Sequence, residues 1–123
     1  MSEIKTHKDL IVWQKGVTFV TDIYKYSKSL PDDEKFGIIS QLKRAAVSVP
    51  TNIAEGAARH SRKEYIQFLY ISLGSASEID TLLIIVGNLQ YIEGNELSKF
   101  QQQASEIKKM LTSLIKSLNN SWI

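Results

Sequence analysis

The sequence predicts an all-α protein, an antiparallel up-down-up-down four-helix bundle. Three observations lead there. Apolar residues recur at steps of three and four in four separate stretches, the spacing that gathers them on one side of a helix. No stretch shows the sustained apolar/polar alternation of a half-buried strand. Breaking or capping residues divide the stretches at "SLPDDEK" (29–35), "HSRKE" (60–64) and "GN" (94–95), which leaves only short connections.

In the first stretch, Leu10, Trp13, Val17, Val20, Tyr24 and Ser27 follow at steps of 3-4-3-4-3, one stripe on one helix. Asp9 is the expected N-cap, because its carboxylate can accept from free amides of the first turn. Pro31 cannot continue this helix, and Asp32 or Asp33 is placed to cap the next.

The second helix is expected from about residue 34 to 58, with Ile38, Leu42, Ala45, Val49, Ile53 and Gly56 as its apolar stripe. Its small residues allow a neighbouring helix to approach closely. Pro50 lies inside it. A proline there takes the amide partner from the Ala46 carbonyl and costs about 3 kcal/mol in an unstrained helix. The stripe nevertheless stays in phase on both sides of Pro50, so a bend is expected rather than an end, with Ser48 or Thr51 lending polar support.

The third helix opens at "SRKE", where Ser61 and Glu64 have the spacing of a capping box. It is expected to run to about Glu93, with Gly94 as its stop. At "YIQFLYISL" (65–73) and "LLIIV" (82–86) it is apolar on nearly every side, which predicts burial on every side. A chain this short has few elements to cover such a helix, so part of it is expected to face another subunit. Asn95 should cap the fourth helix, in which Leu97, Phe100, Ala104, Ile107, Leu111, Leu114 and Leu118 form the most regular series of the chain.

Four stripes on helices of roughly 20–30 residues, about 30–45 Å long, are hidden most simply in an antiparallel bundle. The 123 residues fit one domain, with residues 1–8 as a flexible tail. With 43% apolar and 23% charged residues the composition is that of a globular protein. Cysteine is absent, which excludes disulfides and thiolate metal sites. The polar start "MSEIKTHKDL" does not read as a signal peptide, and the longest apolar run, near "LLIIVG" (82–87), is shorter than a membrane span. A cytoplasmic location without membrane attachment is the expectation.

Little in the chain suggests catalysis. His7 and His60 are far apart, and neither HxxxH nor ExxH occurs, so neither a metal nor another cofactor is expected. No nucleophile elbow or phosphate-cradling glycine loop is present. Glu55 is a lone carboxylate beside Arg59, a poor general acid, and Asp32, Asp33 and Glu34 stand where a helix dipole favours acids. The expectation is a protein that is not an enzyme.

Charge is more informative. The net charge is only +2, yet residues 43–64 carry five bases against two acids, while residues 65–94 carry three acids and no base. Segregated charge builds a local field that net charge hides. Arg59, His60, Arg62 and Lys63 cluster around one turn, with Lys43 and Arg44 earlier on the second helix. Such residues can follow a phosphate backbone, and with little aromatic interleaving the binding is expected to depend on charge and shape rather than base stacking. Asn52, Glu55 and Arg59 share a helical face with Ser48 and Gln41, which is either a solvated stripe with one ion pair or a polar seam toward a subunit or ligand.

Three segments carry a further signal: "DLIVWQKG" (9–16), "QLKRAAVSVPTNIAEGAAR" (41–59) and "KEYIQFLYISLGSASEIDTLL" (63–83). They resemble the four-helix-bundle family of 23S rRNA intervening-sequence proteins, over roughly residues 8–93. The resemblance implies a small bacterial bundle of a kind often encoded within insertions in the large-subunit ribosomal RNA gene. The family is also similar to the accessory protein of diversity-generating retroelements, a pentameric barrel that binds nucleic acid and a reverse transcriptase. A homo-oligomer of five subunits, associated with RNA or the ribosome, is what the resemblance implies.

The combined expectation is a non-enzymatic homo-oligomeric bundle that binds structured RNA. Arg59, Arg62 and Lys63 would carry most phosphate contact, supported by Lys43, Arg44 and His60. Asn52, Glu55, Tyr65 and Phe68 would form an oligomer contact or polar seam. The alternative is an assembly module whose partner is a protein, such as a reverse transcriptase.

Overall fold

The computed structural model describes residues 5–30 and 37–120. A 3-10 turn at His7–Asp9 leads into α1 (Ile11–Ser27), α2 (Ile38–Ala57), α3 (Arg62–Asn88) and α4 (Gly94–Asn120). No strand occurs among the described residues. Each helix lies against two others: α1 and α3 both pack on α2 and on α4, so α1 and α3 occupy one diagonal of the bundle and α2 and α4 the other. The short links after α2 and α3 reverse the chain, which makes the helices run alternately up and down.

The core is a continuous set of aliphatic side chains locked by aromatic contacts between α1 and α4. Phe19, Ile53, Leu69, Leu83 and Leu111 are fully buried. Phe100 receives Phe19 edge-to-face at 6.1 Å and Tyr26 at 5.6 Å. The Tyr26 hydroxyl donates to the Tyr91 carbonyl at 3.1 Å, which ties the end of α1 to the α3–α4 link. Between helices, the Lys108 ammonium meets the Asp80 carboxylate at 2.6 Å and Lys15 meets Glu106 at 3.0 Å.

The buried face of α1 differs from the expected stripe. Val12, Gly16, Phe19 and Ile23 face the core, while Val17 and Tyr24 are exposed and Leu10, Trp13 and Val20 pack at its margin. Both sets have helical spacing, and contact with two neighbours selects the one with the larger central residue, Phe19. On α2 the expected stripe is buried except for the partly covered Ile38, and on α4 it runs along the core.

Several termini also differ. Asp9 does not cap α1. Its carboxylate accepts from the Lys5 and Thr6 amides at 2.8 and 3.2 Å, and the Thr6 hydroxyl accepts from the Lys8 amide, closing the 3-10 turn. These amides, Lys5 first, hold the Asp9 carboxyl below its ordinary range. Of the tail expected over residues 1–8, residues 7 and 8 therefore belong to a turn; residues 1–4 lie outside the described residues, as do Asp32 and Asp33 with their expected cap. Ser61 caps α3 by accepting from the Glu64 amide at 3.1 Å, but the Glu64 carboxylate accepts from the Ser61 hydroxyl instead of the cap amide, so only half the expected box forms. Helix α3 ends at Asn88 rather than near Glu93. Gln90, at φ 60°, donates to the Gly87 carbonyl, and the Tyr91 amide reaches back to Val86 at 3.2 Å. That is a Schellman end with glutamine in the left-handed position glycine usually occupies. Gly94 begins α4 instead of stopping α3, and Asn95 lies within the first turn.

Helix α2 runs unbroken through Pro50, which is buried. Side chains support the carbonyls around it: Thr51 donates to Val47 at 2.8 Å, Asn52 to Ser48 at 2.8 Å, and the buried Ser72 of α3 to Val49 at 2.9 Å. Helices meet closely at small residues. A methyl on Gly16 would stand 3.4 Å from the Pro50 ring, and one on Gly56 would fall 2.8 Å from the Phe68 Cβ and 3.1 Å from the Tyr65 carbonyl.

By length and composition α3 is apolar enough to cross a bilayer, with a mean hydropathy of 1.5 over an 18-residue window. The bundle accounts for that apolarity differently, because α3 has a helix on two sides and supplies Leu69, Ala76, Ile79, Leu83 and Val86 to the core.

Two stability outcomes follow. Gly56→Ala should destabilise the protein by about 1–3 kcal/mol, because the added methyl meets backbone and Cβ atoms that cannot swing aside. Gln90→Gly should stabilise it by about 0.5–1 kcal/mol, because glycine bears no left-handed penalty. Denaturant unfolding of the two variants checks both signs.

Candidate nucleic-acid interface

The up-down topology places the end of α2 beside the start of α3. Residues Ala58–Ser61 link them, with Arg59 and His60 exposed in the link and Arg62 and Lys63 opening α3. Four of the six predicted basic residues thus share one corner. Arg59 is held in two ways: its guanidinium lies 3.5 Å from the Glu55 carboxylate and 4.7 Å from the centre of the Phe68 ring. The ion pair is exposed and contributes little stability by itself, but with the ring it directs the guanidinium along the α2–α3 surface.

Lys43 and Arg44 are not part of this corner. Lys43 lies over the Tyr24 ring of α1 at 4.8 Å, on the other side of α2 from the Arg59–Phe68 contact. Arg44 is exposed and donates to the Ser40 hydroxyl at 3.2 Å. Sixteen residues separate Lys43 from Arg59, about 24 Å along a helix. The six residues therefore form one corner and one detached pair.

The corner gains residues that the sequence reading assigned to a tail. The 3-10 turn packs against α2, and Lys5, His7, Leu10, Ala57 and Tyr65 line a cleft of about 190 Å³ between it, the end of α2 and the start of α3. Lys5 and Lys8 thereby join Arg59, His60, Arg62 and Lys63 at one end of the bundle. The available signal was "THKD" (6–9), a Thr-x-x-Asp spacing that can close a turn on itself.

Asn52, Glu55, Tyr65 and Phe68 separate into two roles. Asn52 belongs to a seam inside the chain: its amide donates to the Ser48 hydroxyl at 2.9 Å, and that hydroxyl meets Ser75 of α3 at 2.7 Å. Glu55 and Phe68 hold Arg59. Tyr65 packs half-buried over Gly56, and burial raises its hydroxyl pKa above the ordinary value of 10.0. On the far side of the corner, α3 and the end of α4 enclose an open groove of about 500 Å³ that includes Lys63, Gln67 and Tyr70. Among the described residues, no three of His, Asp and Glu gather as metal ligands.

The fold and surface define a class: a small helical bundle with one cationic end and hydrogen-bonded polar residues between α2 and α3. The chain belongs to the 23S rRNA-intervening sequence protein family, whose model matches residues 8–113. It is also similar to a protein of unknown function from the S23 ribosomal protein family of Bacteroides thetaiotaomicron, solved by crystallography. That similarity has a TM-score of 0.80 at 28% identity and covers 86% of this chain and 96% of the other. No curated protein matches the chain significantly.

The raised Tyr65 pKa has a measurable consequence. The unfolded chain loses this proton first, so the stability linked to it is complete below pH 10 and declines as pH rises from the unfolded value toward the folded one. Tyr65→Phe should reduce that decline, leaving the share from Tyr26, whose pKa burial and the nearby Glu96 and Glu93 also raise. Denaturant midpoints at about pH 8 and about pH 11 measure the difference.

Proposed function

We propose that the chain is a non-enzymatic, homo-oligomeric scaffold that binds structured RNA through the cationic end of its bundle. The observation that carries this reading is the convergence of Lys5, Lys8, Arg59, His60, Arg62 and Lys63 at one end, drawn from two separate parts of the chain. Cations gathered in this way meet phosphates without base-specific geometry, which suits a folded RNA presenting a dense backbone. Membership of a family described by the 23S rRNA intervening sequence makes ribosomal RNA or the ribosome the first partner to test, in the bacterial cytoplasm.

The outward surface supports self-association. Helix α3 exposes Ile71, Ile84, Ile85 and Leu89, with Gly74 between them open to close approach. Across the bundle diagonal, α1 exposes Ile11, Val17 and Tyr24. Two different apolar faces on opposite sides favour head-to-tail contacts, which close into a ring when the rotation allows. Five is the number that the sequence resemblance implies. The same α3 face also supports a second reading, in which it receives a protein partner such as a nucleic-acid enzyme.

Filter binding of a structured RNA against salt tests the first reading. Affinity should fall steeply with ionic strength, and the triple variant Arg59→Ala, Arg62→Ala, Lys63→Ala should lower both the affinity and the salt slope, the latter by roughly 0.7–0.9 per lost phosphate contact. Affinity that ignores salt or survives the triple variant overturns it. Native mass measured with and without nuclease should give five subunits, and Ile84→Asp should reduce that mass. A monomeric wild-type chain that copurifies with a polypeptide and no RNA favours the second reading.

A further inference from the structure

The groove between the start of α3 and the end of α4 has a chemistry of its own. Lys63, Gln67 and Tyr70 are spaced four and three residues apart, so they line up on one face of α3 over about 10 Å. Ile66 and Leu118 form the apolar part of the wall, Arg62 lies beside Lys63, and Asn119 faces them from α4. The Tyr70 side chain is largely uncovered, at 55% exposure. The open groove of about 500 Å³ lies in the volume range of small-ligand sites.

We propose that this groove holds one unpaired nucleotide of the bound RNA, its base against the Tyr70 ring and its phosphate toward Lys63. The assignment rests on the RNA-binding reading and deepens it. An aromatic face suits any base because every base has a π-face. Gln67 and Asn119 each carry both donors and an acceptor, which matches the mixed donor and acceptor edge that a base exposes when unpaired. A cation at the other end of the face supplies the phosphate contact. A base inside a duplex is stacked and cannot enter, so the groove favours RNA with unpaired nucleotides. The linear sequence hides this arrangement, because Tyr70 becomes a neighbour of Lys63 only through the helical turn. The proposal departs from the expectation, drawn from the sequence, that binding depends on charge and shape rather than base stacking.

The test uses two RNAs with equal numbers of phosphates, one fully paired and one a hairpin with an unpaired loop. Both are titrated against the full-length protein and its Tyr70→Ala and Tyr70→Phe variants at one salt concentration. Tyr70→Ala should weaken hairpin binding on the order of tenfold, the size of one base–aromatic stack, and leave duplex binding unchanged. Tyr70→Phe should keep wild-type binding, and Lys63→Ala should weaken both RNAs. If Tyr70→Ala changes neither RNA, or both equally, the groove assignment fails and the electrostatic reading stands. If the wild-type protein binds neither RNA, both fail. If the native mass of Tyr70→Ala drops, the ring belongs to a subunit contact and the nucleotide assignment is overturned.

Discussion

The close approach of α2 to α3 is the constraint on which the other features depend. It requires Gly56 to lack a side chain where Phe68 and Tyr65 cross it, and Ser72 to bury its hydroxyl against the Val49 carbonyl. It also braces α2 around Pro50. A proline inside a helix loosens the carbonyls before it, and loose carbonyls in a dry core are costly. Here Thr51, Asn52 and Ser72 supply donors to three successive carbonyls, and the Ser72 donor comes from the neighbouring helix. The Ser72 bond is thus an interhelical tie beside the proline. Gly16 allows α1 to approach the same place from the other side, so α2 is gripped at Pro50 by both neighbours.

That grip determines the surface chemistry. With α2 and α3 close and their link short, the Arg59, His60, Arg62 and Lys63 backbones must share one corner whatever their side chains do. The Phe68 Cβ lies at the Gly56 contact, and its ring carries the Arg59 guanidinium. One residue therefore takes part in the helix crossing through its Cβ and aims a charge with its ring. The 3-10 turn adds Lys5 and Lys8 because Leu10 and His7 dock beside Ala57 and Tyr65.

Legibility in the sequence followed the strength of local physics. The four helices, the bundle, the Ser61 start and the in-phase stripe of α2 could be read because periodicity and caps are local signals. The end of α3 could not, because Gln90 takes a left-handed position with no glycine to announce it. The buried face of α1 was misjudged because two stripes of equal spacing compete there, and only contact with α4, through Phe19 on Phe100, decides between them. For the candidate site, the corner of four bases was legible as a cluster in the chain. The detachment of Lys43 was not, because it depends on which side of α2 meets α1. Lys5 and Lys8 were not placed at the corner because their position arises from docking of the turn, and Tyr70 comes beside Lys63 through the helical turn rather than through sequence proximity.

The two halves of the proposed function explain one another. One bundle end presents a handful of cations, and Arg59 is already paired with a carboxylate. Non-specific electrostatic binding of that kind gives dissociation constants of about 10⁻⁴–10⁻⁶ M at physiological salt. A ring repeats the corner once per subunit. When one RNA reaches two or more corners, the later contacts form intramolecularly and the overall affinity rises by about 10²–10⁴ without any new kind of contact. The gain exists only if the RNA matches the spacing of the corners, so a ring of weak sites selects RNA by shape. An isolated chain would bind any polyanion weakly. In the proposed ring the apolar outer faces of α1 and α3 would bear on recognition as well as assembly, because they would set the distance between corners that a folded RNA must span.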